Sequence, residues 1–129
     1  SDVNGDTING KTYNKCDQSN YLESSASSMF TYAYYKGIRL GLLDKKQFMP
    51  IADKAYNGLL SNFIKEDADK SLSIIQSCAS AGLGPAKDLS RTGTVNYYLC
   101  GSDVSITRNE GKAIGPFIMA SLEHELSIK

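Results

Sequence analysis

Residues 20–41 read NYLESSASSMFTYAYYKGIRLG and carry the strongest periodic pattern in the chain. Apolar and small residues recur there every three or four positions, as they do along one face of an amphipathic helix of about five turns. The residues of that face are Leu22, Ala26, Met29, Phe30, Ala33, Gly37, Leu40 and Gly41. The stretch therefore predicts a long helix with a continuous apolar face.

A second helical pattern follows this stretch. Residues 43–46 break the period, and it resumes at Phe48 and continues to about Lys65. Pro50 lies near the start of the pattern, where a helix tolerates proline. The apolar positions are Phe48, Ile51, Ala52, Ala55, Tyr56, Leu59 and Phe63. Because only a few residues connect the two helices, they are expected to run antiparallel as a helical hairpin.

The remaining segments predict a mainly α-helical chain with a small two-stranded excursion. Leu72, Ile74 and Ile75 indicate one short extended piece, and Thr94–Leu99 indicates a second. Residues 79–84 between them are typical of a turn-rich loop. A third helix is expected from about residue 110 to Lys129, with Pro116 tolerable only in its first turn. Its apolar face comprises Ile114, Phe117, Ile118, Ser121, Leu122 and Glu125.

Length and composition limit the classes of function. A chain of 129 residues and 14.0 kDa is expected to form one domain. Fourteen basic and fourteen acidic residues give a formal charge of +0 with no basic stretch, so nucleic acid is not expected as a partner. The longest uncharged run, Ser71–Ala86, is too polar to span a membrane. Residues 1–19 lack an apolar period and a secretory signal, so they predict an irregular leader and leave the compartment open.

No cofactor or metal site is predicted. Three cysteines without a C-x-x-C pair argue against a disulfide framework and against zinc, and small buried apolar residues are the better interpretation. Residues 2–6 place side-chain oxygens at alternate positions, as a calcium loop does. Such a loop needs glycine at its sixth position and glutamate at its twelfth, where this chain has Thr7 and Tyr13. A solvated turn is therefore the expected structure.

His124 is the single histidine of the chain. Its neighbours Glu123 and Glu125 point to different faces of a helix, so the three residues make no ligand cluster. A surface histidine is expected rather than a catalytic one.

The first turns of the long helix are unusually polar. Asn20 or Ser19 could cap the helix, with Glu23 completing a capping box. Capping does not explain the serines that continue into the helix from Ser24 and Ser25, because hydroxyls gain nothing intrinsic there. A closely packed neighbouring helix and a polar ligand both remain open as explanations.

Two glycine-rich segments, residues 81–84 and 111–117, match neither a P-loop nor a dinucleotide fingerprint. Tight turning is the simpler explanation for both. Glycine before a helix still leaves backbone N–H groups open, so the second segment could also contact an anionic or hydroxyl-rich ligand.

Several segments, taken in order, resemble the unsaturated rhamnogalacturonyl hydrolases, glycoside hydrolase family 105, which are related to the family 88 unsaturated glucuronyl hydrolases. Residues 20–41 resemble that family's NYLESSASAMF…YAL.KG.RLG block. Residues 54–58 resemble KAY.G, residues 78–84 resemble C..AGLG, and residues 96–99 resemble YEYYL. Residues 109–120 resemble ND.KGVGPFILA. The matching blocks cover most of residues 20–129.

The resemblance implies the C-terminal portion of an (α/α)6 toroid of helical hairpins. About a third of that toroid is present, so the inward helix faces are expected to lie against helices that this polypeptide does not contain. The expected partner is therefore either a missing N-terminal half or a second copy, bound through exposed apolar helix faces. Relatives suggest a bacterial cytoplasm or periplasm and leave the choice open.

The implied activity is removal of a 4,5-unsaturated uronic acid from pectin-derived oligosaccharides by hydration of the enol ether. The family's catalytic aspartate lies upstream, so no residue here inherits its role and the chain alone is expected to be inactive. Support or contact at the substrate rim is implied for Glu23, Ser24, Ser25, Gly82, Gly84, Asn109, Lys112 and Gly115.

Two other classes of function stay open from the sequence. The first is a non-catalytic helical interaction module or degenerate relative, which would keep the helices and bind a protein. The second is a free-standing sugar-binding domain, which the absence of Trp disfavours, although Tyr97 and Tyr98 could serve as platforms.

Overall fold

The computed structural model describes residues 7–8, 11–12, 21–80, 82, 93–100 and 105–129. These residues form four helices and six short strands, so the predicted mainly α-helical class is confirmed. In chain order the elements are β1 (Thr7–Ile8), β2 (Lys11–Thr12), α1 (Ser24–Arg39), α2 (Lys45–Phe63), β3 (Ile64–Glu66), β4 (Leu72–Ile74), β5 (Ser77–Cys78), α3 (Val95–Cys100), β6 (Ile106–Thr107) and α4 (Gly111–Ser127). Among the described residues, no helix combines the length and apolar character needed to cross a bilayer.

The chain divides into two compact units. The helical unit, Glu23–Ser77 with Thr107–Lys129, holds α1, α2, α4 and the β3–β4 hairpin. The second unit, Ser1–Leu22 with Cys78–Ile106, holds α3 and the antiparallel pair β1–β2. The predicted leader, residues 1–19, thus contributes β1 and β2, and its other residues lie outside the described part of the chain.

Helix α1 ends in a Schellman motif, two residues before the predicted end. Gly41 adopts a positive φ of 71°, which glycine reaches at no steric cost. The Gly41 N–H donates to the Ile38 carbonyl at 3.0 Å, and the Leu42 N–H donates to the Gly37 carbonyl at 2.8 Å. These bonds satisfy carbonyls at the helix end and turn the chain sharply toward α2.

Helix α2 begins at Lys45, three residues before the first predicted apolar position. Asp44 is its N-cap, and the Asp44 carboxylate accepts the Gln47 N–H at 2.8 Å. Helix α1 packs against α2, so the predicted helical hairpin is present. The start was misplaced because a cap rather than an apolar residue fixes it, and the helix ends at Phe63, two residues before the predicted end, because Ile64 begins β3.

The expectation that Pro116 could lie only in a first helical turn was wrong. Pro116 is the sixth residue of α4, and Pro50 has the same place in α2. A proline there removes one intrahelical hydrogen bond, because it has no N–H to donate. Pro116 is buried, so its packing offsets part of that loss.

The predicted strand at residues 72–75 is present as β4, but it pairs with β3 and not with the second predicted strand. Strand β4 pairs antiparallel with β3, with Ile64 opposite Ile74. The second predicted strand, Thr94–Leu99, is wrong, because Val95–Cys100 form helix α3 and Thr94 precedes it. The Thr94 hydroxyl and carbonyl accept the N–H groups of Tyr97 and Tyr98 at 3.2 and 3.0 Å. This local capping outweighs the β propensity of the aromatic and β-branched residues.

The core of the helical unit lies between α2, α4 and the hairpin. Leu59 and Phe63 from α2 are 1% and 3% exposed, as their apolar spacing predicted. They form a cluster with Ile74 of β4 and with Ala113 and Ala120 of α4. Helix α1 packs against α4 over a longer interface than against α2.

The apolar faces of α1 and α4 are exposed in the structure. The buried residues of α1 are mostly polar: Ser24, Ser28, Thr31, Tyr35 and Gly37. Apart from Gly37, its predicted apolar face is exposed, with Phe30 at 67% exposure. We call the exposed residues Met29, Phe30 and Leu40 the α1 stripe, and the exposed residues Ile114, Ile118, Leu122 and Leu126 the α4 stripe.

Candidate functional site

Glu23 is the N-cap of α1 and uses both carboxylate oxygens in that role. Oε1 accepts the Ser25 N–H at 3.1 Å and the Ser25 hydroxyl at 2.8 Å. Oε2 accepts the Ala26 N–H at 2.7 Å. The expectation that Asn20 or Ser19 caps this helix is therefore corrected, because the glutamate itself satisfies the open N–H groups and places a negative charge at the positive end of the helix dipole.

Three hydroxyl side chains of α1 bond back to their own helix. The Ser27 hydroxyl donates to the Glu23 carbonyl, and the Ser28 hydroxyl donates to the Ser24 carbonyl, each at 2.7 Å. The Thr31 hydroxyl does the same to the Ser27 carbonyl at 2.8 Å. Because these hydroxyls are satisfied locally, small polar residues can be buried where another helix approaches closely. This favours a closely packed helix over a ligand as the reason for the serines.

Ser24 differs from the serines that follow it. Its side chain is fully buried, and its hydroxyl oxygen has no hydrogen-bond partner within the described part of the chain. Its backbone N–H donates to the Gln76 carbonyl at 2.9 Å. This bond fixes the start of α1 to the residues just after β4.

Asn109 fixes the start of α4 to the same strand. Its φ of 57° lies in the left-handed region, which asparagine tolerates better than most residues. The Asn109 N–H donates to the Ile74 carbonyl at 2.8 Å, and the Asn109 Oδ1 accepts the Ile74 N–H at 3.0 Å. One asparagine thereby completes the hydrogen bonding of Ile74 on that edge of β4.

These contacts bring two groups of candidate residues to one end of the helical unit. Ile74 and Gln76 hold the starts of α4 and α1, and two residues of chain span at most about 7 Å. Near the other ends of the same helices, Arg39 of α1 meets Glu123 of α4. The two helices therefore run in the same direction, with the N-terminus of α4 at the end of β4 and the N-terminus of α1 at the residues just after β4. Glu23, Ser24 and Ser25 lie at one N-terminus, and Asn109, Lys112 and Gly115 lie at the other.

The start of α4 is more open than the start of α1. Lys112 is exposed and Gly115 is half-buried. Glu110 is the N-cap residue, but its side chain makes no capping hydrogen bond. Of the two predicted glycines in the second unit, Gly82 is exposed, and Gly84 lies outside the described residues.

Sequence reasoning missed an aromatic cluster formed by Tyr35, Tyr56 and His124. The rings of Tyr56 and His124 stack with centroids 4.2 Å apart, and Tyr35 meets His124 edge-on at 5.5 Å. His124 is half-buried in this cluster rather than a free surface histidine, which corrects the sequence expectation. The three residues come from α1, α2 and α4, so no local spacing could have indicated their contact.

The buried hydroxyl of Tyr35 has one partner. It donates to Asp53 Oδ1 at 2.9 Å. Burial, followed by the hydrogen bond to Asp53, raises the pKa of Tyr35 well above its ordinary value. The phenol therefore stays protonated as a hydrogen-bond donor and is unsuited to act as a base.

A bidentate ion pair joins the distal ends of α1 and α4. Arg39 Nε and Nη2 each donate to the carboxylate of Glu123 at 2.7 Å. The Glu123 side chain is 8% exposed and the Arg39 side chain is 44% exposed. The hydrogen bond from Arg39 lowers the pKa of Glu123, although partial burial opposes it.

Aspartates are of interest because carboxyl groups perform acid–base catalysis in sugar hydrolysis. Every aspartate among the described residues accepts a hydrogen bond from another side chain or from the backbone. They are Asp44, Asp53, Asp67 and Asp69, with donors in Gln47, Tyr35, Arg108 and Ser71 respectively. The same part of the chain contains no group of three acidic, histidine or cysteine residues arranged to hold a metal ion.

Comparison with known sequences gives consistent matches. The family model described as Glycosyl Hydrolase Family 88 matches residues 11–127. Two curated proteins are each 36% identical over 107 residues: Protein Atu3128 of Agrobacterium fabrum and the 24.9 kDa protein in picA locus of Rhizobium radiobacter. Each alignment covers 81% of this chain and 45% of the relative. The chain thus spans a little under half the length of these relatives.

A solved structure gives the same relationship. A glycoside hydrolase from family 105 of C. acetobutylicum ATCC 824 is 42% identical to this chain and superposes with a TM-score of 0.74. The match covers 83% of this chain and 28% of that chain. At this identity the likeness extends to sequence as well as to fold.

Proposed function

The chain belongs to glycosyl hydrolase family 88, and from that membership we propose that it forms the C-terminal part of a hydrolase that removes 4,5-unsaturated uronic acid from pectin-derived oligosaccharides. The observation that carries this proposal is the common end of α1 and α4, where Ile74 at the end of β4 and Gln76 just after it hold the two helix starts. The candidate residues of both helices lie at this end, which suits a rim around a substrate.

The proposed reaction begins by protonation of the enol-ether double bond. The resulting oxocarbenium-like carbon is attacked by water, and one carboxyl group can serve both proton transfers. The described aspartates are all engaged in hydrogen bonds within the chain, and Glu23 is engaged as a helix cap. This supports the proposal that upstream residues of the intact enzyme supply the catalytic carboxyl group, while this chain supplies part of the rim of the substrate site.

A uronic acid carries a carboxylate, and the start of α4 offers complementary charge. The positive end of a helix dipole attracts anions, and a lysine in the first turn adds to that attraction. Lys112 is exposed in the first turn of α4, and the Glu110 side chain does not cap that turn. Asn109 and Gly115 border the same turn, so we propose that the substrate carboxylate lies near Lys112.

The proposed activity has a direct test. The isolated chain, incubated with an unsaturated rhamnogalacturonan disaccharide, is expected to leave the ultraviolet absorbance of the double bond unchanged. A chimera is then made in which this chain replaces the matching 28% of the C. acetobutylicum enzyme. Loss of absorbance is expected with the chimera, because the upstream part supplies the catalytic carboxyl group.

Two controls make this experiment decisive. The parent C. acetobutylicum enzyme shows whether the disaccharide is a substrate of that scaffold, and circular dichroism shows whether the chimera is folded. Turnover by the isolated chain would contradict the proposed lack of a catalytic group. A folded chimera that stays inactive on a disaccharide that its parent hydrolyses would contradict the proposed role of this chain.

The exposed α1 and α4 stripes support the proposal that the helical unit binds a partner. Ile118 and Leu122 of the α4 stripe are 52% and 55% exposed, and Phe30 of the α1 stripe is 67% exposed. Contiguous apolar surface of this kind marks an interaction site in soluble proteins. We propose that upstream helices of the family's toroid cover both stripes, and that the chain therefore folds most stably in their presence.

Replacing Leu122 with lysine tests this proposal about the partner. In the isolated chain the change is expected to alter the free energy of unfolding by no more than about 0.5 kcal/mol, because the side chain is exposed. In the chimera it is expected to abolish activity and lower the melting temperature, because lysine would then be buried against apolar helices. Lys54→Glu, which reverses an exposed charge on α2, is the matched control and is expected to leave both proteins unchanged. Equal effects of L122K on the two proteins would contradict the proposed contact.

A second candidate function rests on the same stripes. A non-catalytic interaction module, or a degenerate relative, would expose them to bind a protein partner or a second copy of this chain. Sedimentation of the isolated chain separates the cases, because a stable dimer through the α4 stripe would favour the module and Leu122→Lys would dissociate it. If the isolated chain is a monomer, and the chimera is more stable to unfolding than the isolated chain, the result favours the hydrolase.

A further inference from the structure

A network of polar side chains joins the turn of the β3–β4 hairpin to the residues before α4. The Ser73 hydroxyl donates to Asp67 Oδ2 at 2.6 Å. The Arg108 Nη2 group donates to Asp67 Oδ1 at 2.9 Å and to Oδ2 at 2.7 Å. Ser73 is buried on β4, and its hydroxyl contacts both Asp67 and Arg108.

Asn109 extends this network to the backbone. Its Nδ2 donates to the Ser73 hydroxyl oxygen at 3.0 Å, while its Oδ1 and N–H bond to Ile74. Asn109 thus makes three bonds to two consecutive residues of β4 while its own φ is positive. A backbone conformation of this kind persists only when its surroundings fix it, and these bonds do so.

The Asp67 carboxylate accepts three hydrogen bonds of this network, one from Ser73 and two from Arg108. Arg108 faces it from the segment before α4, Lys65 faces it from β3, and Asp69 is the acidic neighbour in the turn. The hydrogen bond from Ser73, followed by the one from Arg108, lowers the pKa of Asp67, although desolvation opposes them. The side chains of Asp67 and Arg108 are 24% and 54% exposed, so water can enter when their bonds break.

We propose that Asp67, Ser73, Arg108 and Asn109 form a clamp that holds the segment before α4 on the β3–β4 hairpin, and that acid releases this clamp while the helical core stays folded. Protonation of the Asp67 carboxylate removes the charge that Arg108 binds. The first turn of α4, which carries Lys112, is then free to move relative to β4. This device does not depend on the function proposed above, because its parts and its test concern only the fold.

The direction of the pH effect follows from the lowered pKa of Asp67. A carboxyl group of this kind contributes stability above its ordinary pKa of about 3.9, and that contribution is lost as the pH falls through the lowered folded value. The clamp is therefore closed at neutral pH, begins to weaken below the ordinary carboxyl pKa of about 3.9, and opens as the pH falls through the lowered folded value.

Amide hydrogen exchange of the wild-type chain tests the release. The amides of Ile74 and Asn109 report on the clamp, and the amide of Leu59 reports on the core. Exchange is measured at about pH 6 and about pH 3 and corrected for intrinsic rates. Protection at the two clamp amides is expected to fall about three- to fivefold more than protection at Leu59. This factor corresponds to the stabilisation expected of a largely exposed ion pair. A parallel fall at all three amides, or no fall, would overturn the proposal.

Asp67→Asn isolates the role of the charge. Exchange at Ile74 and Asn109 is expected to be already several-fold faster near neutral pH in this variant, with no further loss in acid. Glu66→Gln is the matched control, because it breaks the exposed Glu66–Lys70 pair in the same hairpin and is expected to leave both amides unchanged. Unchanged protection in D67N would refute the clamp.

If D67N does not fold, Arg108→Gln takes its place. Exchange at Ile74 and Asn109 is expected to be several-fold faster in this variant as well, and unchanged protection would refute the clamp.

Discussion

Replacing Leu59 with alanine is expected to lower the free energy of unfolding by about 2–5 kcal/mol. Leu59 is 1% exposed and lies in the core cluster with Phe63, Ile74, Ala113 and Ala120. The change removes apolar contacts and leaves a cavity that the surrounding helices fill only in part. Urea unfolding followed by circular dichroism measures the difference.

Leu60→Ala is the matched control for this prediction. Leu60 follows Leu59 on the same helix but is 42% exposed. The same atoms are removed with little loss of burial, so the change is expected to cost less than about 1 kcal/mol. Similar losses for the two variants would show that the α2 face assigned to the core is wrong.

Glu123→Gln is expected to lower the free energy of unfolding by about 1–2 kcal/mol near neutral pH. The substitution keeps the shape of the side chain and removes the charge that binds Arg39 through two hydrogen bonds. The Glu123 side chain is 8% exposed, which strengthens the pair. The Arg39 side chain is 44% exposed, so solvent screening places the effect around and below the lower end of the range of about 1.5–3 kcal/mol for charged hydrogen bonds.

The pH dependence provides an independent check on Glu123. Arg39 lowers the pKa of Glu123, so the ion pair contributes stability above the ordinary carboxyl pKa and loses it as the pH falls through the lowered folded value. The difference between wild type and E123Q is therefore expected to shrink from about pH 7 to about pH 3. Glu125→Gln, an exposed change on the same helix, is expected to have no effect at either pH. A difference that stays constant with pH would assign the loss to packing rather than to charge.

Periodicity predicted the helices well where one apolar face is buried within the chain. The α2 positions Leu59 and Phe63 are in the core, as their spacing indicated. The same reasoning identified only Gly37 of the buried face of α1, because the other buried residues are Ser24, Ser28, Thr31 and Tyr35. The hydroxyls of Ser28 and Thr31 bond to their own helix and can be buried at low cost, so most of this face carries no hydrophobic signal.

The candidate site was only partly accessible from the sequence. The resemblance indicated Glu23 and Asn109, yet it did not indicate that Glu23 caps α1 or that Asn109 completes the edge of β4. Arg108 drew no attention, because its partner Asp67 lies 41 residues away in the chain. The roles of Glu23 and Asn109 in substrate contact stay predictions.

The amino-acid sequence by itself determined the family, the helical class and the positions of the main helices, because these depend on local spacing and on blocks of neighbouring residues. Tertiary structure alone decided which faces are covered, that α4 and α1 start at the end of β4 and just after it, and that Tyr35, Tyr56 and His124 meet. The reason is physical: a hydrophobic period identifies the apolar face of a helix, while whether that face is covered, and by which neighbour, depends on contacts between residues far apart in the chain.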